Sequence, residues 1–522
     1  MNSEKESIYM KHKKKIAALL ACVAAAALLA GCGQSTQQAK SENAKLEWWI
    51  PLDSTAATII KSFDESRLAQ KLMENTNTDI TFVHPPQGQD SEKFNLLTAS
   101  DELPDIITYN WNKYPGGPQK AIKEKVIADL NQYKDKLPNL MKYLDEHPDI
   151  KKMALTDEGQ LFSFPFIRGD DSLCVSHGLI VRNDWLKELG LEVPKTMDDW
   201  EKMLTAFKEK KGATSPFCST NIYLFAGAFE TSSEYYLDNG KVKYGPFDPE
   251  YKDFITTMRR WYQNGLIDSD FATRDRKAIH SNILNDVSGA ASGSIGADIG
   301  AIMRAASDIN GFDIVGAPFP TLTGGKAEFG VYQIPVTADN LSYSAITTSC
   351  ADTHGALKLL DYGYSEEGHM LYNFGVEGES YEMVDGYPTY TEEITQNSEG
   401  LSMTAAMSRY MLSYRSGPFV QDLRYMEQYA ALPQQKEAWK TWSDTNAKAH
   451  KLPNLYMKDD ELSRYTELKN SVDTRANEIT LKLIIGTEPM ENYDALIQEL
   501  HTRGADEIIA MQQAAYQRYQ SR

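Results

Sequence analysis

Two stretches of this chain carry residues whose type and spacing suit chemistry. The first lies near its start. Lys11, Lys13, Lys14 and Lys15 precede an apolar or small run from Ile16 to Ala30, and Leu29-Ala30-Gly31-Cys32 closes it. Basic residues hold such a segment at the cytoplasmic face while the apolar run enters the export channel, and small residues mark a cleavage site. A cysteine immediately behind that site has a thiol that can take a lipid, and a run this short needs one, because a membrane span takes about 20 apolar residues. Cys32 is therefore the expected lipidation site. Residues 1–31 are then a signal peptide, translated from Met1 or Met10, and the polar residues 32–45 a flexible tether.

The second stretch is Tyr109-Asn110-Trp111-Asn112, directly after a strand-like run that ends at Thr108. An aromatic face can pack on the C–H face of a sugar ring while Asn side chains bind hydroxyls in pairs. A surface turn with a packed Trp explains the same residues equally well. If the first reading holds, Trp111→Ala weakens sugar binding without unfolding the protein.

Other chemistry is poorly represented. The chain has no G-x-S-x-G, H-E-x-x-H or G-x-x-x-x-G-K-S/T pattern, no G-x-G-x-x-G after a strand, and its nine histidines lack ligand spacing. Ser292 sits among small residues but outside any elbow pattern, and Glu377 with Glu379 would make a glycosidase pair only at the right separation in space. No catalytic residue, cofactor or metal is expected. The formal charge of -19 becomes -22 without residues 1–31, which hold five Lys and two Glu. That balance opposes nucleic acid and anionic membranes and suits a monomeric surface protein. Cys174, Cys218 and Cys350 are too few and too scattered for a disulfide framework and read as small core residues.

The elements that must position these residues alternate between strand and helix patterns, which predicts an α/β body with largely parallel sheets. Strands are expected at residues 46–50, 79–83, 105–108, 179–182, 312–315, 330–336 and 344–348. Both Trp48 and Trp49 are expected in the core. Thr196 with Asp199 starts a helix carrying Trp200, Met203, Leu204 and Phe207 on one face. Asp248-Pro249-Glu250 starts another, and Gly486 to Pro489 breaks the helical last third.

Arg182-Asn183-Asp184-Trp185-Leu186, running through Leu189-Gly190-Leu191 to Pro194-Lys195-Thr196, resembles a signature of bacterial extracellular solute-binding lipoproteins. Asn264-Gly265-Leu266-Ile267-Asp268, Leu360-Asp361-Tyr362-Gly363-Tyr364-Ser365, Asn373-Phe374-Gly375-Val376-Glu377-Gly378 and Gln512-Gln513-Ala514-Ala515-Tyr516 follow in that family's order. The resemblance covers essentially the whole mature chain and lies nearest the oligosaccharide-binding branch. It implies a two-lobed periplasmic-binding-protein fold of the second type, with a cleft between lobes that close over ligand. On that template residues 46–169 and 321–375 form lobe 1, and residues 172–320 and 376–522 form lobe 2. Crossovers fall near residues 168–171, 318–320 and 375–378. Cleft candidates by position are Tyr109, Asn110, Trp111, Phe166, Arg168, Ser294, Asp298, Phe374, Glu377, Tyr381, Tyr414 and Arg415, whereas Arg182, Asp184 and Trp185 organise the second lobe. Related alginate-oligomer receptors carry a calcium loop after the helix matching residues 200–210. Here that stretch is Lys208-Glu209-Lys210-Lys211-Gly212, which lacks the carboxylates calcium needs. The implied function is capture of an oligosaccharide, without chemistry, for the permease subunits of an ABC importer, by a protein lipid-anchored on the outer face of the cell membrane. A surface glycoside-active enzyme and a peptide receptor are the alternatives.

Overall fold

The computed structural model describes residues 44–336 and 341–522. The export signal, Cys32 and nearly all of the tether lie outside the described residues. Fourteen strands follow in chain order: β1 (Ala44–Trp49), β2 (Thr78–Val83), β3 (Ile106–Tyr109), β4 (Phe164–Pro165), β5 (Ile167–Arg168), β6 (His177–Arg182), β7 (Tyr235–Asp238), β8 (Lys241–Tyr244), β9 (Ala290–Ser294), β10 (Ile314–Ala317), β11 (Tyr343–Ile346), β12 (Tyr381–Val384), β13 (Tyr387–Tyr390) and β14 (Val420–Gln421). Five of them form a sheet ordered β2-β1-β3-β11-β4, in which β1 is parallel to β2 and β3 while β11 runs against β3 and β4. A second sheet, β10-β6-β9, is antiparallel throughout. This corrects the expectation of largely parallel sheets. Residue pattern sets where a strand lies, but its direction depends on how the chain returns.

Both tryptophans of β1 are buried. Trp48 stacks on Phe82 at 5.7 Å and donates from Nε1 to Thr108 Oγ1, and Trp49 meets the Tyr109 ring edge-on at 5.8 Å. Residues 330–336, expected as a strand, form none. The segment spends its backbone bonds elsewhere, with Gln333 N–H donating to Cys174 O and Arg168 N–H to Pro335 O.

The helix Met197–Lys211 begins with the Thr196–Asp199 capping box and stops at Gly212, whose φ of 71° suits glycine. Trp200, Met203, Leu204 and Phe207 are buried on one face. Each such side chain contributes roughly 1.5–3 kcal/mol. The Lys208 ammonium donates to Asn264 O, tying this helix end to the end of the helix Glu250–Gln263. Asp248 does not cap that second helix. Its carboxylate instead accepts from Thr231 Oγ1 and Tyr236 Oη.

The R-x-D-W signature has a direct physical reading. The Arg182 guanidinium, 4% exposed, lies 4.6 Å from the Trp185 ring and 4.4 Å from the Phe312 ring. It binds Asp184 through Nε and Nη2, and donates from Nη1 to Asp286 Oδ1 and to Ile283 O. One residue thus joins β6, the helix Asn183–Leu189, the end of the helix Arg276–Leu284 and the segment before β10.

Buried residues form two large cores and a small third one. The first gathers β1 to β4 and β11 with Leu357, Leu360, Tyr372, Leu412, Phe419 and Tyr456. The second gathers β6, β9 and β10 with Trp200, Trp261, Trp442 and the helices after residue 459. Phe374, Tyr381, Tyr390, Met407 and Tyr425 belong to the third. Three chain segments that join the large cores run side by side at one place. β5 pairs with β14, Ile167 N–H donates to Phe419 O, Gly169 N–H to Gln421 O, and Arg168 N–H to Pro335 O.

Candidate functional site

In an open sheet with parallel strands, the crevice lies beyond the carboxyl ends of strands where the chain leaves to either side, and β1 between β2 and β3 is such a point. The loop after β1 supplies Asp53. Its Oδ1 accepts from Thr55 N–H at 3.0 Å and Ala56 N–H at 3.1 Å, fixing the turn, while Oδ2 accepts from Tyr414 Oη at 2.9 Å. Burial, reinforced by Asp53, pushes the Tyr414 phenol well above its ordinary range, so it donates at all working pH values. After β3, Asn110 Oδ1 accepts from Asn112 N–H at 3.1 Å and winds residues 111–113 into one turn. The Lys113 ammonium lies 5.4 Å from the Tyr109 ring centre. Asp90 opens the helix after β2. Burial raises its carboxyl, while its own backbone N–H and then the charges of Lys113 and Arg415 draw it back. Lys113 and Arg415 are exposed.

The expected residues divide. Tyr414 bonds Asp53 in the loop after β1, Asn110 winds the turn after β3, and Arg415 is exposed next to Tyr414 in the chain. Tyr109 and Trp111 do not offer the crevice a ring: both are fully buried, with Phe94 4.5 Å from Tyr109 and edge-on to Trp111 at 5.2 Å. That corrects the reading of the Tyr-Asn-Trp-Asn cluster, because period-two placement turns Tyr109 inward and the turn made by Asn110 folds Trp111 back over the helix Asp90–Thr98. Phe166 is likewise buried, edge-on to Phe419 at 5.3 Å, with the Arg168 guanidinium over its other side at 5.5 Å. Phe374 and Tyr381 are core residues of the small cluster. Glu377 is exposed and lines a separate depression with Lys71, Asn75 and Tyr362.

Beside the second sheet, Asp298 is buried behind β9. Its Oδ2 accepts from the Ser294 N–H at 2.7 Å and hydroxyl at 2.8 Å, and its Oδ1 accepts from His280 Nε2 at 2.7 Å and Arg276 Nε at 3.2 Å. Burial would raise this carboxyl, but those bonds outweigh it and hold it low. With both oxygens engaged, Asp298 and Ser294 shape the turn after β9, and the exposed Arg276 pairs with that carboxylate.

Asp53, Asp90 and Lys113 were not singled out by sequence. Asp53 could have been found, since it follows the first strand at the carboxyl-end position, whereas Asp90 and Lys113 carry no local signal. The arrangement pairs two acids with two bases around amide and phenol groups. It suits binding of a hydroxyl-rich ligand, and no nucleophile with an adjacent base stands among these groups. Among the described residues no group of three or more His, Cys, Asp or Glu is placed to hold a metal ion.

Comparison with known proteins places this geometry in context. The model of the bacterial extracellular solute-binding proteins matches residues 54–370. Lipoprotein LipO of Bacillus subtilis (strain 168) is 27% identical over 74% of this chain and 79% of its own length. The fructooligosaccharide ABC transporter substrate-binding protein FusA of Streptococcus pneumoniae serotype 4 is 32% identical over 51% of this chain and 55% of its own. The crystal structure of alginate-binding protein AlgQ2 without calcium ion superposes with a TM-score of 0.73 at 21% identity, covering 93% of this chain and all (100%) of that one. The last likeness shows the two-lobed periplasmic-binding-protein fold.

Proposed function

We propose that this chain, which belongs to the bacterial extracellular solute-binding protein family, captures an oligosaccharide outside the cytoplasm and hands it unaltered to the permease of an ABC importer. The observation that supports this reading is the set of polar groups beyond the carboxyl ends of β1 and β3, where Asp53 holds the Tyr414 phenol after β1 and Asn110 winds the turn that carries Lys113 after β3. Relatives described as carrying fructooligosaccharide, or melibiose, raffinose and stachyose, support a sugar as ligand. A micromolar receptor needs about -8 kcal/mol, within reach of several charge-assisted hydrogen bonds once closure removes water. Closure requires contacts to both lobes, because a ligand held equally by open and closed states shifts neither.

In this reading the lobes meet at residues 167–169, 333–336 and 419–421. Residues before the first pass and between the second and third form lobe 1, and residues between the first and second form lobe 2, joined by the helices after residue 430. Cys32 carries the lipid that holds a monomeric body at the membrane. No chemistry is performed, since the acids of the crevice are engaged in positioning and pairing.

A thermal-shift screen of residues 41–522 against oligosaccharide and peptide panels tests the proposal, because a ligand that binds only the folded state raises apparent stability. A sugar that shifts Tm and is recovered intact supports a receptor. Shifts from peptides alone, cleavage of a sugar, or silence across all sugars overturn it.

A further inference from the structure

The two large cores are joined again at the end of the helix Ala505–Ser521. Ala505, Ile508 and Ala515 bury that helix in the second core, and its last turn meets the first. Arg518 Nε donates to Asp157 Oδ2 at 2.7 Å. Arg522, just past the helix, donates to Asp157 Oδ1 from Nε at 3.1 Å and from Nη2 at 2.5 Å. Asp157 follows Ala154 and Leu155, which pack in the first core. Arg522 Nη1 also donates to Lys152 O at 3.3 Å and Leu155 O at 2.7 Å, at the end of the helix Pro148–Ala154, where open carbonyls favour a cation. The Lys152 ammonium reaches back to Gln520 O at 2.9 Å.

This join is enclosed on both sides. The Arg522 side chain is 0% exposed and that of Asp157 9%. The guanidinium carbon of Arg522 lies 4.9 Å from the Tyr456 ring of the first core and 5.0 Å from the Tyr519 ring of its own helix. Tyr456 also connects the join to the crossovers. Arg518 Nη2 donates to Tyr456 O at 2.6 Å, and two residues earlier Asn454 Nδ2 donates to Val336 O at 3.1 Å and to Tyr343 Oη of β11 at 2.9 Å. A bonded line therefore runs from the middle crossover through residues 454–456 to Asp157. The chain itself crosses there: Ala447 lies in the second core, Tyr456 in the first, and the helix Asp459–Ile485 returns to the second through Leu468 and Val472.

Two bodies linked only by short extended segments can both swing and twist, because a few residues at the link absorb the change in φ and ψ. A second fixed point reduces that freedom to rotation about one line. Here the fixed point is a forked pair out of water, and parting it would strand a buried charge, whereas an exposed pair such as Lys123 with Asp459 at 2.8 Å parts at little cost. We propose that Asp157, Arg518 and Arg522 form a pivot that stays closed while the two cores move, and that confines their motion to rotation about the line from Val336 through Asn454 and Tyr456 to Asp157. The pivot goes beyond the receptor reading and involves no ligand.

The distance between the cores, measured on the intact mature chain without ligand, tests this. Spin labels at Asp101→Cys and Lys210→Cys, both exposed and one on each core's helical layer, give the distance distribution by double electron–electron resonance, in a Cys350→Ser background that removes the partly exposed thiol. Arg522→Gln and Asp157→Asn should each widen the distribution, while Lys123→Ala, which breaks the exposed pair, should leave it as it was. A lowered Tm with an unchanged distribution reduces the cluster to local packing and overturns the pivot. So does equal widening by Lys123→Ala, which shows a generally loose contact. A second arm leaves the ion pairs intact and decides even where those variants fail to fold. Lys152→Cys and Gln520→Cys, bridged by a short bismaleimide, hold the join shut. Amide exchange at residues 167–169 should then match that of the unbridged chain, because the join does not open. Slower exchange in the bridged chain shows that it does open, and overturns the pivot. No sugar enters either arm, so failure here leaves the receptor reading standing, and failure of that reading leaves the pivot.

Discussion

Replacing Arg182 tests whether its fork and its flat faces, or only its charge, hold together the elements around β6. Arg182→Met keeps an apolar stem between Trp185 and Phe312 but removes five donors. Ile283 O, which accepts at 3.0 Å inside the core, is left unpaired, a loss of about 1–3 kcal/mol. Asp184, with 21% of its side chain exposed, loses a bidentate partner, whereas Asp286 at 66% is hydrated and contributes little. Two cation–ring contacts at 4.6 and 4.4 Å add about 0.5–2 kcal/mol each, partly recovered by the Met stem. The expected loss is about 3–5 kcal/mol, in line with breaking a buried ion pair from one side. Arg182→Lys restores the charge but not the fork or the stacking, and should recover less than half of that loss. Urea unfolding followed by tryptophan fluorescence measures both as a shift of midpoint at unchanged slope. Full recovery by Lys, or a loss under about 1 kcal/mol for Met, would refute the argument from geometry.

Trp111→Ala should cost about 3–5 kcal/mol of stability, as expected for an emptied core site, and calorimetry would show a lowered Tm even without ligand. Asp53→Asn keeps an oxygen for Thr55 and Ala56 but loses the charge, so sugar affinity should fall about ten- to hundredfold with Tm little changed; equal affinity in titration removes Asp53 from the site. Asp422 gives a pH test. Burial would raise its carboxyl, but bonds from His369 and Arg424 outweigh this and hold it well below the usual range. A folded pKa below the unfolded value of about 3.9 means stability that is present above that value and lost as pH falls through the folded one. Asp422→Asn should therefore flatten the acid arm of the stability profile below about pH 4, and an unchanged arm in denaturant titrations would contradict this.

Much of the scaffold was legible in the sequence because its signals are local. Thr196, Asp199 and Gly212 start and stop one helix by their own hydrogen bonds and φ preference, and Gly486 ends another in the same way. The strand cores from Leu46, Ile80, Ile107 and Leu179 read from β-branched and apolar runs. The misreadings come from partners far away in sequence. Residues 330–336 have a strand's composition but bond to residues 168 and 174 as a crossing segment. Trp111 looks like an exposed platform until Phe94 covers it, and Asp90 gains its role only from Lys113 and Arg415. The third crossing at β14 is two residues long, too short to leave a pattern.

The strand order of the first sheet governs how the chain reaches its native state. β11 lies between β3 and β4, so Ser344 must pair with Thr108 and Phe164. Nothing emerging before residue 343 can complete that sheet, and β3 and β4 must wait with open edges for more than a hundred residues of intervening chain to be made. β6, β9 and β10, by contrast, finish within residues 177–317. Long-range closure is entropically slow and open edges invite wrong pairing. The second sheet should thus gain amide protection before the first in pulse-labelled hydrogen exchange during refolding. The unfinished edge at β3 is then where a holding chaperone is needed, and the order reverses only if that edge is shielded by some other segment first.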